Sequence, residues 1–183
     1  MMFRAPIITA RRLLAIMGVV TASVITNPAN ALSHEEWVMA FVRFVEWPTS
    51  PTDNALVVCQ PPDTPTLDLE GKQVRGLTLQ VLRVATAREL DRCQLFAMLA
   101  GKEANWTPWI SALRSRAVLA VGIGGRFCEI GGAICLLRDE ATGAEKYQLN
   151  LETLSRGGFK VNSQLLRSQP QRPPNATGAG SGG

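Results

Sequence analysis

The chain has 183 residues, with 19 Lys plus Arg against 15 Asp plus Glu, four cysteines and one histidine. Arg4, Arg11 and Arg12 fall in the first 31 residues, which hold no acid; without them the balance is 16 against 15. A body that close to neutral excludes the electrostatic footprint of nucleic-acid binding, and a single histidine leaves no pair of imidazoles for a metal.

Residues 1–31 read as an export signal. Arg4, Arg11 and Arg12 make a positive start, Leu13 to Thr26 is an apolar run, and Asn27-Pro28 breaks it. Ala29-Asn30-Ala31 has the small-residue form of a cleavage site, so cleavage is expected between Ala31 and Leu32. The apolar run of 14 residues is short of the roughly 20 a membrane-spanning helix needs. The mature chain is therefore expected outside the cytosol, in an oxidising compartment.

Residues 32–167 are expected to fold as one domain. Ser33 with Glu36 three residues on forms a capping box. Trp37, Ala40, Phe41, Phe44 and Val45 then recur at helical spacing, which predicts an amphipathic helix over 35–46, stopped by Pro48. Its aromatic stripe is expected to pack on a sheet. The competing reading makes Trp37, Phe41, Phe44 and Trp47 a dimer or partner face. Residues 55–59 predict a buried strand and 60–66 a Pro- and Asp-rich loop. One helical turn is expected over 67–70, a strand over 77–82, a short helix over 87–91 and a strand over 94–99. A helix follows over 106–115, with Pro108 tolerated in its first turn. A strand over 117–121 leads into a glycine-rich loop over 122–132. Residues 133–138 and 145–149, joined at Thr142-Gly143, predict a hairpin. A helix over 151–156 ends at Gly157-Gly158, and 161–167 closes the domain as a strand or a helical turn. Apolar strands alternating with helices predict an α/β class: a mostly parallel, mixed sheet of about six strands flanked by helices, with a C-terminal-side hairpin. Residues 168–183 carry Pro, Gly and small polar residues and read as a disordered tail.

The sequence argues against an enzyme. His34 lies beside the expected new N-terminus, and no carboxylates are paired by motif for acid–base work. The cysteines are spaced 34, 35 and 7 apart, without the C-x-x-C of a zinc site or a thioredoxin-like centre. Gly122-Ile-Gly124-Gly125-Arg126 lacks the complete dinucleotide fingerprint, because Phe127 stands where its third glycine belongs, and it lacks a P-loop lysine. No catalytic residue, metal or cofactor is expected.

Four cysteines in an exported chain allow three pairings. Cys128 and Cys135 are closest in sequence and would tie the glycine-rich segment to the strand it feeds. A loop that short stabilises by about 2–3 kcal/mol on chain-entropy grounds. Cys59 and Cys93 would meet if their two strands are neighbours; otherwise both are buried thiols.

Several segments taken in order resemble the YfiR family of exported bacterial proteins. They are Phe44-Val45-Glu46-Trp47-Pro48 ending the first helix, Leu56 to Cys59, Gly71-Lys-Gln-Val-Arg75-Gly76, Cys93-Gln-Leu-Phe96, Phe127 to Leu136, and Tyr147 to Asn150 followed by Gly158 to Leu166. The resemblance implies a dimeric α/β sandwich in the periplasm. It implies a repressor of a membrane-anchored diguanylate cyclase, bound through the cyclase's periplasmic domain. Cyclic-di-GMP then stays low until envelope stress or redox change relieves repression, often through an outer-membrane lipoprotein. It further implies that Cys128–Cys135 is structural and Cys59–Cys93 redox-variable. The chain departs from the family in Gly122-Ile-Gly-Gly125, in a shortened Pro-rich segment after Cys59, and in its tail. The alternative reading is a small-solute-sensing module for a membrane receptor or sensor kinase, with its cleft near Gly122–Gly132.

Overall fold

A computed structural model of the chain describes residues 32–101, 105–141 and 143–167. The expected export signal, with Ala31 at its cleavage point, the tail over 168–183 and Thr142 of the hairpin turn lie outside the described residues. Leu32 is exposed.

Helix α1 spans His34–Phe44. Its capping box is complete: the Glu36 amide donates to Ser33 Oγ at 3.2 Å, and the Ser33 amide donates to Glu36 Oε2 at 2.7 Å. The helix ends two residues earlier than its apolar spacing suggests. Val45 turns extended, and β1 (Val45–Glu46) pairs antiparallel with a distant β9 (Lys160–Val161). A tertiary partner for the backbone outweighs one more helical turn.

The main sheet contains β2 (Ala55–Gln60), β3 (Gln73–Val74), β4 (Leu77–Arg83), β5 (Leu95–Met98), β6 (Leu119–Ile123), β7 (Ile134–Arg138) and β8 (Glu145–Leu149). Its order is β3-β4-β2-β5-β6-β7-β8. The five central strands are parallel, and β3 and β8 close the two edges antiparallel. The α/β class, the mixed mostly parallel sheet and the β7–β8 hairpin are as expected. The strand beyond the expected six is β3, two residues long and too short to carry a periodic pattern. It turns into β4 through Arg75 and Gly76, both at positive φ (53° and 80°), the conformation a two-residue hairpin requires. The Arg75 guanidinium reaches over to the Arg43 carbonyl at 3.1 Å.

Two 3-10 turns, over Thr52–Asn54 and Ala87–Arg92, with α2 (Trp106–Leu113), α3 (Gly125–Glu129), α4 (Leu151–Arg156) and α5 (Ser163–Arg167), complete the described elements. Two expectations need correcting. Residues 67–70 form no helical turn; Gln60 holds that segment with its side chain, accepting from the Leu67 amide and donating to the Pro65 carbonyl, both at 3.0 Å. Residues 122–132 are not one loop either. Gly122 lies within β6 and Gly125–Glu129 is helical, because the buried Phe127 lays its ring against Gly122 and Gly132. For 161–167, both alternatives are partly realised: Val161 ends β9 and Ser163–Arg167 is α5.

Side-chain alternation divides the interior into two cores. Leu95, Ala97, Leu119, Val121, Ile134 and Leu136 face one core with α1, Leu154 of α4 and Leu165 of α5. Phe96, Met98 and Ala120 face the other with Leu90, α2 and Phe127 of α3. Both sides of the central strands are therefore buried, as parallel strands require.

Candidate regulatory site

All four cysteines lie in the second core, on the α2 and α3 side of the sheet. Cys59 points there from the end of β2, where its register neighbours are Leu82 and Phe96. Cys93 closes the 3-10 turn just before β5. Because β2 and β5 are adjacent, the two cysteines meet with Cα atoms 5.7 Å apart and are bonded. Cys128 on α3 and Cys135 on β7 are bonded with Cα atoms 5.8 Å apart. All four are less than 5% exposed. No thiol therefore stands open to solvent as a nucleophile, and the pairs act as cross-links between elements.

The aromatic residues of α1 lie on the opposite face of the sheet. Phe41 is fully buried and meets Tyr147 of β8 edge-on at 5.7 Å. Trp37 stacks on Phe41 at 5.7 Å, and its indole N–H donates to Glu145 Oε2 at 2.8 Å. Phe44 is half-buried against the same core. Trp47 stands apart from that cluster. Its N–H donates to the Gln94 carbonyl at 3.0 Å, and its ring meets Phe159 at 6.2 Å. The stripe thus packs on the sheet. Phe41 is covered within the chain, since helical spacing turns it toward β8. Only the outer edges of Trp37, Phe44 and Trp47 remain open.

Where a solute cleft is expected near Gly122–Gly132, the space beside Gly122 and Gly132 is taken by the Phe127 ring. A Cβ on Gly122 would lie 2.6 Å from the Phe127 ring, and one on Gly132 would lie 2.7 Å from the Phe127 carbonyl. A crevice exists elsewhere, between the ends of β2 and β5, where the direction of winding reverses. Pro61, Asp63, Thr64, Met98, Asn105 and Trp106 line it. Among the described residues, the Trp106 indole nitrogen is the one buried side-chain polar atom without a hydrogen-bond partner. Sequence reasoning missed Tyr147, Gln60 and Trp106. Tyr147 meets α1 across more than a hundred residues, and no local pattern announces that contact. Gln60, a polar residue ending an apolar strand, was the one visible clue to a side chain bridging the next loop.

No group of three or more His, Cys, Asp or Glu among the described residues could hold a metal ion. No helix among them is long and apolar enough to cross a membrane.

The family model described as DUF4154, YfiR/HmsC-like, matches residues 33–168. The chain belongs to this family. YfiR/HmsC-like proteins are periplasmic regulators of diguanylate cyclase signalling rather than catalysts, and two buried disulfides suit a YfiR-like chain folded in an oxidising compartment. No curated protein matches the chain. Among solved structures, an ABC domain in complex with L-Trp from Streptococcus pneumonia is similar at 10% identity and a TM-score of 0.48. The likeness covers 72% of this YfiR/HmsC-like chain and 57% of that structure.

Proposed function

We propose that this chain is an exported regulatory protein that represses a membrane-anchored diguanylate cyclase by binding the cyclase's periplasmic domain. The observation that carries the reading is the family match over 33–168, which takes in the whole described fold and both disulfides. Cys128–Cys135 is the structural bond, tying α3 to β7. Cys59–Cys93 is the redox-variable bond, through which the envelope state sets the strength of repression. The working form is a homodimer, and an outer-membrane lipoprotein sequesters it when repression is relieved. Residues 1–31 direct export and are removed after Ala31.

The decisive measurement is cellular cyclic-di-GMP with and without the gene. It rises on deletion and returns to the starting level with an exported copy, but not with a copy lacking residues 1–31. An unchanged level in the deletion strain overturns repression of a cyclase.

One observation favours a second reading, a solute-sensing module for a membrane receptor or sensor kinase. The crevice between β2 and β5 lies at the switch point where open α/β sheets bind ligands, and Trp106, whose buried indole N–H has no partner, is one of its lining residues. On that reading a bound solute raises the melting temperature, and Trp106→Phe removes the rise.

A further inference from the structure

At the end of the molecule where β6 begins, three arginines line one pit. Arg114 and Arg116 come from the end of α2, and Arg156 from the end of α4. The floor is apolar: Leu113, Val118, Ala120 and Phe159 are each more than nine-tenths buried. Gly131 and Thr153 also line it.

Helix C-termini attract cations, and that accounts for part of the arrangement. Arg116 bonds the Ala112 carbonyl and meets Asp91 at 2.6 Å. Arg156 meets Glu152 within its own helix. Asp91 and Glu152 are 70% and 82% exposed, so both pairs are surface pairs of small energy. These bonds fix the two forks and leave N–H groups of each unspent. Arg114 has no carboxylate partner among the described residues; its guanidinium makes a long bond, 3.5 Å to the Ile130 carbonyl. The pit therefore concentrates cationic donors above a floor of low polarity, where a charge-assisted bond is stronger than in water. Three arginines from two helix ends suit an anion with several oxygens to share among them. A carboxylate has two oxygens to offer, a phosphate three or four.

We propose that this pit is a phosphate-binding site. Free phosphate and the phosphodiester of an anionic lipid headgroup share the required chemistry. The inference does not depend on the regulatory reading above, because it concerns binding by the purified protein alone.

The test is the melting temperature of the full mature chain titrated with inorganic phosphate, against sodium chloride at matched ionic strength. Phosphate raises it saturably, chloride does not, and Arg114→Ala and Arg156→Ala each weaken the phosphate affinity at least tenfold. Circular dichroism confirms that each variant is folded, and either one suffices if the other is not. Equal responses to phosphate and chloride, or unchanged affinity in a folded variant, overturn the site. Sedimentation with phosphatidylglycerol and phosphatidylcholine vesicles separates the sources. Binding to phosphatidylglycerol alone, lost in Arg114→Ala, supports the site with a lipid as its ligand. Saturable phosphate binding without vesicle binding supports it with a soluble one.

Discussion

Gly132 and Gly71 look alike in the sequence but do different work. Gly132 lies under Phe127, and a Cβ there would stand 2.7 Å from the Phe127 carbonyl, a backbone atom that cannot swing away. Gly71 has open space around it but a φ of +74°. Gly132→Ala is expected to cost about 1–3 kcal/mol through overpacking, and Gly71→Ala about 1–2 kcal/mol through backbone strain alone. Urea midpoints measure both, and only Gly132→Ala should also disturb the near-ultraviolet signature of the aromatic core. Glu89 offers a pH test at the same scale. Its carboxylate accepts from the Thr86 and Ala85 amides, each at 2.8 Å, and these bonds, Thr86 first, hold its pKa below the ordinary value. A lowered folded-state pKa gives stability that is present above the unfolded value, near 4.3, and is lost as pH falls through the folded one. Glu89→Gln should therefore lower the urea midpoint at pH 7, and the two proteins should converge as pH falls through the lowered folded-state value.

Between elements, the two disulfides differ in the length of chain they close. Cys59–Cys93 spans 34 residues and Cys128–Cys135 spans 7. Chain entropy alone makes the first worth about 4 kcal/mol and the second about 2–3 kcal/mol. The long-range bond joins neighbouring strands through the 3-10 turn, while the short one fastens α3 to the strand that follows it. The double variant Cys59→Ala/Cys93→Ala is thus expected to lose more stability than Cys128→Ala/Cys135→Ala in urea titration. The reverse order would mean that local packing around Phe127, rather than loop closure, governs the bonds. A bond whose opening moves about 4 kcal/mol in a domain of ordinary stability, about 5–15 kcal/mol, is well placed to act as a control.

At the scale of the molecule, the sheet separates the cysteines from the aromatic helix. Both disulfides occupy the α2 and α3 core, while α1 lies on the other face with Tyr147 and Phe159. Opening Cys59–Cys93 should loosen the near core first, because elements sharing a core open together. Hydrogen exchange should therefore speed up over residues 87–98 and 106–113 in Cys59→Ala/Cys93→Ala, with α1 amides still protected. Loss of protection throughout α1 would show instead that the two cores open as one unit. On the first outcome, a surface that responds to the redox state of this bond lies on the α2 side rather than along Trp37 and Trp47.

Local chemistry was enough for the sequence to determine much of this protein. Ser33 and Glu36 announced α1, the apolar runs announced the central strands, and the alternation of strand and helix announced the α/β class. The order of the segments from Phe44 to Leu166 announced the family. Each of these rests on propensity, period or capping, which act within a few residues. The tertiary structure alone decided the rest. It brought β2 beside β5, so that Cys59 and Cys93 could meet, and added β1, β3 and β9, pairings of two residues that leave no period to read. It also filled the glycine-rich segment with Phe127, turned Phe41 against Tyr147, and gathered Arg114, Arg116 and Arg156 around one pit. Those outcomes depend on contacts between residues distant in the chain. Their free energy comes from burial and pairing that exist only once the sheet has assembled.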